Sequence, residues 1–307
     1  MSKPPNRRAD RIQKFGSRDT ARKQGVVVSY LAAYLRVMSK QRFHLSYVDA
    51  FAGCGARIDA AAPIVAQASL LSDASASHPK VGTALEALRL RPGFQRCVFG
   101  DRNGRHLAAL EARIREARAS GEVLPVTDVV KADANVLVRR ECAWIAGNSE
   151  RKAVMFLDPY GMQVEWRTLQ AIADCPGIDL WLLLPTGIAV NRLLPWKRAQ
   201  HPRWAERMDA FYGSGDWRSS LLTTDTDMLG MQRETRSSDF NGIVRFTMDR
   251  LGSLFGGGLL PQALPLRVGC NDNAYHLVFA NSSKSEHVRK IAHDIAGHLI
   301  CKAQAGS

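Results

Sequence analysis

The sequence predicts an α/β fold: a doubly wound, mostly parallel sheet with an antiparallel C-terminal hairpin and a helical insertion. Three observations predict it. Apolar runs of strand length alternate with helix-period segments between about residues 44 and 184. The first of these runs ends in a glycine-rich turn, Gly53-Cys54-Gly55. Two later strand-sized runs, 264–268 and 274–279, are separated only by 269–273, a hairpin-length connection.

Taken in order, residues 1–18 are polar, basic and proline-containing, which predicts a disordered tail. Val27, Tyr30, Leu31, Tyr34, Leu35 and Met38 recur at helical spacing and predict a helix over 20–40. His44 to Gly55 reads as a short apolar strand running into a glycine-rich turn, and 56–80, rich in Ala and Ser, as a long connection before a helix over 81–90. Strands at 96–100, 127–131, 153–157 and 179–184 then alternate with helices at 105–119, 134–145 and 166–174. Beyond Pro185 the alternation stops. Residues 190–255 read as mainly helical, with Trp196, Trp204, Phe211, Tyr212 and Trp217 among many arginines, for which core packing is the plainer role. A helix over 285–300 closes the pattern, and no internal repeat is visible. The expected organisation is a basic tail (1–18), a Rossmann-like cofactor-binding core (19–189), a helical substrate-docking insertion (190–260), and strands and a helix completing the core (261–307).

The 307 residues are 46% apolar and 23% charged, which excludes collagen-like, disulfide-scaffold and wholly disordered chains. Lys plus Arg total 42 against 29 Asp plus Glu, a net charge of +13. That balance favours a polyanionic partner, nucleic acid ahead of a membrane surface. Residues 1–42 hold eleven Lys/Arg and only Asp10 and Asp19 as acids, so this stretch carries +9 of the charge. The plain alternative for the tail is solubilisation. The six cysteines show no C-x-x-C and the eight histidines no H-x-x-x-H, so no metal site is expected, and the compartment reads as reducing and cytoplasmic. No apolar run approaches the ~20 residues of a membrane span, and no secretory signal is seen.

The candidate site lies at the strand ends, where open parallel sheets bind ligands. The first reads Asp49-Ala50-Phe51-Ala52-Gly53-Cys54-Gly55, and no third glycine completes the G-x-G-x-x-G of dinucleotide sites. An acid six residues before the last glycine resembles the pattern of S-adenosylmethionine (SAM) methyltransferases, in which the corresponding acid faces the cofactor's ammonium and there is no pyrophosphate to cradle. Asp49, Phe51, Gly53 and Gly55 are therefore expected at the cofactor. Asp101 ends the second strand, where a carboxylate accepts ribose hydroxyls. Asp133 follows the third and is placed for the adenine amine, although a helix N-cap is its plainer role.

The fourth strand ends in Phe156-Leu157-Asp158-Pro159-Tyr160-Gly161. This resembles the [DNS]-P-P-[YF] motif of amino-group methyltransferases, and more closely the D-P-[FY]-G form of some tRNA guanine N2-methyltransferases. An exocyclic amine is a poor nucleophile because its lone pair is delocalised into the ring. Asp158 and the Pro159 carbonyl would accept its N–H bonds, and Tyr160 would stack the ring. The missing second proline leaves the acceptor base open. A simple Pro-Tyr-Gly turn is the structural alternative.

Together with Phe211-Tyr212-Gly213, Trp217 and the 275–280 strand, these motifs resemble the three-Cys-motif partner (TcmP) family over roughly residues 20–300. That resemblance implies a Rossmann-type SAM-dependent methyltransferase whose partner carries a three-cysteine motif of radical-SAM type. Family members usually have Pro where Cys54 stands, and a G-S-P element where this chain has Gly82-Thr83-Ala84. The expected function is SAM-dependent methylation of an amino group, in RNA or DNA. The alternative is a non-catalytic partner that organises a complex with the three-cysteine protein. An NAD-dependent oxidoreductase is disfavoured by the failed fingerprint. Asn191 and Arg192 follow the fifth strand near the acceptor end, with no assigned role.

Overall fold

A computed structural model describes residues 18–57, 80–190, 194, 202–226, 232–268 and 271–305. The basic tail, most of the 56–80 connection, Asn191, Arg192, Trp196 and Cys270 lie outside these residues.

Along the chain, α1 (Arg18–Met38) leads into β1 (His44–Asp49). A short antiparallel pair, β2 (Ala56–Arg57) with β3 (Lys80–Val81), precedes α2 (Thr83–Arg89). Strands β4 (Arg96–Asp101), β5 (Val126–Lys131), β6 (Arg151–Leu157) and β7 (Ile178–Leu184) alternate with α3 (Gly104–Ala119), α4 (Ala134–Ala146) and α5 (Trp166–Asp174). A π-helical turn, Thr186–Val190, follows β7. Next come α6 (Pro202–Tyr212), α7 (Trp217–Leu221), a ladder of β8 (Leu222–Thr226) with β9 (Gln232–Arg236), and α8 (Phe240–Phe255). The hairpin β10 (Leu264–Val268) and β11 (Asn271–Asn281) precedes α9 (Glu286–Ala305).

Seven strands form one sheet in the order β10-β11-β7-β6-β1-β4-β5. The five from β7 to β5 pair in parallel, and β11 runs antiparallel to both β7 and β10. This is a Rossmann-like α/β fold: a doubly wound parallel half with a reversed strand added beside its last member. The two faces follow from the strand period of two. On β6, Val154 and Phe156 join α1, α2, α3 and α9 in one core. Ala153, Met155 and Leu157 join α4 to α8 in the other. With both faces covered, the central strands read as apolar runs rather than alternating ones.

One buried polar network ties these layers together. The Tyr30 hydroxyl of α1 donates to Asp179 Oδ2 at 2.5 Å, and Asn281 Nδ2 of β11 donates to Asp179 Oδ1. Burial pushes the Asp179 carboxyl up to about 6, against the pull of those two bonds. Among the described residues, no helix is long and apolar enough to cross a membrane.

The structure departs from the sequence expectations mainly in the insertion. Residues 222–226 and 232–236 form the β8–β9 ladder within a segment expected to be mainly helical. Leu222 is the one apolar residue of β8, and Thr223 and Thr224 face solvent, so there was no alternation to read. Of the aromatics there, Phe211, Tyr212 and Trp217 are buried in the core, whereas Trp204 is 43% exposed. β11 begins at Asn271 rather than Ala274, because Asn271 pairs with Val268 and carries the ladder nearly to the turn. α9 runs on to Ala305, where the Ala303 carbonyl accepts from Arg22 of α1 at 2.8 Å.

Tyr30→Phe leaves Asp179 with Asn281 alone as side-chain donor, and is expected to destabilise the fold by about 1–3 kcal/mol. The midpoint of chemical denaturation reads this directly, and an unchanged midpoint would refute the role given to the network.

Candidate active site

β1 is flanked by β4 on one side and β6 on the other, both parallel to it. The chain leaves β1 toward β4 and β5, and later builds β6 and β7 on the opposite side. Their carboxyl ends therefore open a crevice, as at the switch point of any doubly wound sheet. Asp49 ends β1, and Asp158 follows the end of β6.

Asp49 is only 3% exposed, and its Oδ1 accepts the Phe51 N–H at 3.0 Å. Burial pushes its carboxyl up to about 7. The Phe51 bond and the Lys23 charge pull it down, while the nearby Asp158 and Asp101 charges push it up. Beyond it, Gly53 and Gly55 adopt φ of +58° and +71°, the left-handed region that favours glycine. At Gly55 a Cβ would also lie 2.6 Å from Leu110 Cδ1 of α3, so packing constrains that position too. Arg113 holds the turn by donating to the Cys54 carbonyl at 2.7 Å.

Asp101 accepts the Asn103 N–H at 2.7 Å on one oxygen and faces His106 Nδ1 at 3.2 Å with the other. Asp133 is the N-cap of α4, accepting from Asn135 N at 2.9 Å and Val136 N at 3.2 Å. Its other oxygen pairs with Arg102. Partial burial pushes this carboxyl up, but the Val136 N–H, the Arg102 charge and the Asn135 N–H together hold it below the usual range. The capping role weighed from sequence is thus present, and Asp133 borders the site as well.

A cleft of about 1000 Å³ opens over these strand ends. Its walls include Phe51, Asp101, Asp133 and Tyr160, with Arg102, His106, Asn135 and Gln163. One stripe of α6 completes it through Trp204, Arg207 and Ala210, spaced three apart. Trp204 and Tyr160 are the exposed residues among the described Phe, Tyr and Trp, and both line this cleft. The Arg207 guanidinium makes no ion pair among the described residues, whereas Arg102 is paired with Asp133. Asp49, Gly53 and Gly55 are not cleft walls.

Asp158 and Pro159 face a second cavity of about 160 Å³, on which Tyr160 also borders. Asp158 Oδ2 pairs with Lys23 of α1. The loop after β6 is fixed by buried Asn135. Its Nδ2 donates to the Gln163 carbonyl, and its Oδ1 accepts from Glu165 N and Thr168 Oγ1, all at 2.9 Å. The Gln163 side chain in turn accepts the Tyr160 N–H at 3.0 Å.

Sequence reasoning missed Lys23, Asn135 and Gln163. Lys23 did leave a signal, since it lies four residues before Val27 on the apolar stripe of α1, where a cation needs a buried partner.

The sequence matches no protein-family model and no curated protein sequence. Among solved structures, a DUF519-family protein of Legionella pneumophila aligns at 13% identity and a TM-score of 0.39, over 78% of this chain and 94% of that one. A candidate methyltransferase of Escherichia coli, YhhF, aligns at 11% identity and 0.34, over 88% and 92%. A candidate hemolysin of Streptococcus thermophilus aligns at 9% and 0.29, over 91% and 75%.

The raised carboxyls of Asp49 and Asp179 set a pH dependence. The folded chain keeps their protons to about pH 7 and 6, whereas unfolded aspartates release theirs near 4. The stability they confer is therefore full below about pH 4 and is lost as pH rises toward 7. The ligand-free protein is expected to melt at progressively lower temperature across that window. Asp49→Asn should flatten the decline, and an identical pH profile in the variant would contradict the buried, protonated Asp49.

Proposed function

We propose that the protein is a SAM-dependent methyltransferase acting on an exocyclic amino group of a nucleic-acid base, and that it is related to the TcmP proteins its motifs resemble. The observation that carries this reading is the convergence at one switch point of a buried acid, a glycine turn, two further strand-end acids and an Asp-Pro-Tyr-Gly loop.

The residues suit the cofactor. Asp49, near neutrality without a ligand, is drawn into its charged form by an ammonium beside it. The two oxygens of Asp101 have lone pairs left for a ribose diol, because a carboxylate accepts about four bonds. Asp133 stands at the adenine end, and Phe51 lines the wall between. When bound, SAM supplies an electrophilic methyl on a sulfonium.

The chain's own task is then positioning, which supplies a large share of the rate in such a displacement. Asp158 and the Pro159 carbonyl accept the acceptor N–H bonds and favour a pyramidal nitrogen with its lone pair directed at the methyl. Tyr160, on the border of both cavities, stacks the ring. The basic tail, Arg207 and the exposed Trp204 suit a polyanion that carries bases.

The Lys23–Asp158 pair favours one alternative, because a neutralised acceptor carboxylate would also suit a non-catalytic partner organising a complex with a three-cysteine-motif protein. Stoichiometric co-purification with such a protein, without methyl transfer by the pure chain, would select it.

Calorimetric titration with SAM and S-adenosylhomocysteine tests the main reading. Asp49→Ala should weaken binding by more than about tenfold, the loss expected when a charged partner is removed. Asp158→Ala should keep the wild-type affinity while abolishing labelled methyl transfer to RNA or DNA. Loss of cofactor binding in Asp158→Ala would overturn its assignment to the acceptor.

Salt dependence tests the polyanion. Arg207→Ala should weaken single-stranded RNA binding and reduce the salt slope by about one. Deletion of residues 1–18 should flatten the slope further. An unchanged slope in both would leave the tail a solubilising segment.

A further inference from the structure

The cavity of about 160 Å³ beside Asp158 is separate from the larger cleft, and the two meet at Tyr160. Four parts of the fold build it: the first turns of α1, the loop after β6, the end of β7 and the β10–β11 hairpin. Its volume equals about five liquid waters, too small for a nucleoside-sized cofactor and enough for one flat ring. Pro159, Tyr160, Leu266 and Tyr275 give it apolar and aromatic walls, and its charged groups balance, Lys23 and Arg267 against Asp158 and Asp19. The Lys23 side chain is 13% exposed, and its ammonium pairs with Asp158 Oδ2. Asp158 Oδ1 accepts no hydrogen bond among the described residues.

We propose that this cavity is the acceptor-ring site, and that Lys23 is a positioning residue that fixes Asp158 through Oδ2 and leaves Oδ1 for the ring's amino group. This rests on the methyltransferase reading and deepens it. The ligand class is a neutral heteroaromatic amine, a base turned out of its strand. Such an amine donates N–H to Asp158 without adding charge, and its ring gains from the two tyrosines. An alkyl ammonium, as in a lysine side chain, would instead add a third cation to a lining that already holds Lys23 and Arg267, and gain little from aromatic walls. The first two turns of α1 thereby become part of acceptor recognition, although they lie far in sequence from the strand-end motifs.

The test is a saturation-transfer NMR titration of the full chain with adenosine, cytidine and guanosine, run with and without S-adenosylhomocysteine. At least one nucleoside should bind, and the bulkier Tyr275→Trp should weaken it by about tenfold or more, as expected when a ring-shaped pocket is filled, with homocysteine-product affinity unchanged. Lys23→Met should weaken nucleoside binding, and Lys23→Arg should restore it. A merely structural ion pair would lower the melting temperature of Lys23→Met and leave nucleoside affinity alone. No nucleoside binding, binding untouched by both Tyr275→Trp and Lys23→Met, or binding of a lysine-containing peptide in its place would overturn the proposal. Failure of S-adenosylhomocysteine to bind counts against the methyltransferase reading, and the nucleoside signal without it still judges the ring site.

Discussion

Everything at the functional edge depends on the position of β1, which has a parallel neighbour on each side and two covered faces. Connections leaving in opposite directions cannot close over the same strand end, so the backbone parts there. A groove between diverging connections is wet at its rim and dry at its floor. Asp49, buried beneath the strand ends and outside the cleft wall, has its carboxyl pushed up to about 7 by that burial. Topology thus sets the electrostatic character of each acid before any ligand arrives.

The acids are not equivalent, and their partners explain why. Asp133 is committed to capping α4 and to Arg102, Asp101 to the turn before α3, and Asp158 to a lysine from another layer. Three like charges near one crevice would repel one another, and these contacts spread the load over a helix N-terminus, backbone amides and one ammonium. Asn135 then fixes the loop that presents Tyr160 by joining three of its backbone and side-chain partners. The loop after β6 is held by the three hydrogen bonds of this single amide side chain.

Much of this was legible in the sequence because strands buried on both faces announce themselves as apolar runs, and polar residues at their ends stand out against them. Asp49, Asp101, Asp133 and Asp158 were found in that way. Lys23 and Asn135 were not, since their roles arise from tertiary pairing and leave only a polar residue on a helix. The β8–β9 ladder stayed hidden because its strands lack an apolar face, and α6 showed its aromatics without showing that Trp204 turns outward while Phe211 turns in. Which residues share a cavity was also invisible, because Asp158 and Tyr160 are two positions apart yet only Tyr160 borders both spaces.

The β10–β11 hairpin supplies Leu266 and Tyr275 to the smaller cavity, and these residues come more than a hundred positions after Asp158. During translation the larger cleft's strand ends emerge first, and the wall of the smaller cavity is added only when the hairpin leaves the ribosome. Lys23, made before either, waits first for Asp158 and then for that wall. A ribosome-bound or proteolytically shortened chain lacking the hairpin would keep the strand-end acids of the larger cleft but not a closed second cavity. The order of synthesis therefore separates the two cavities in time.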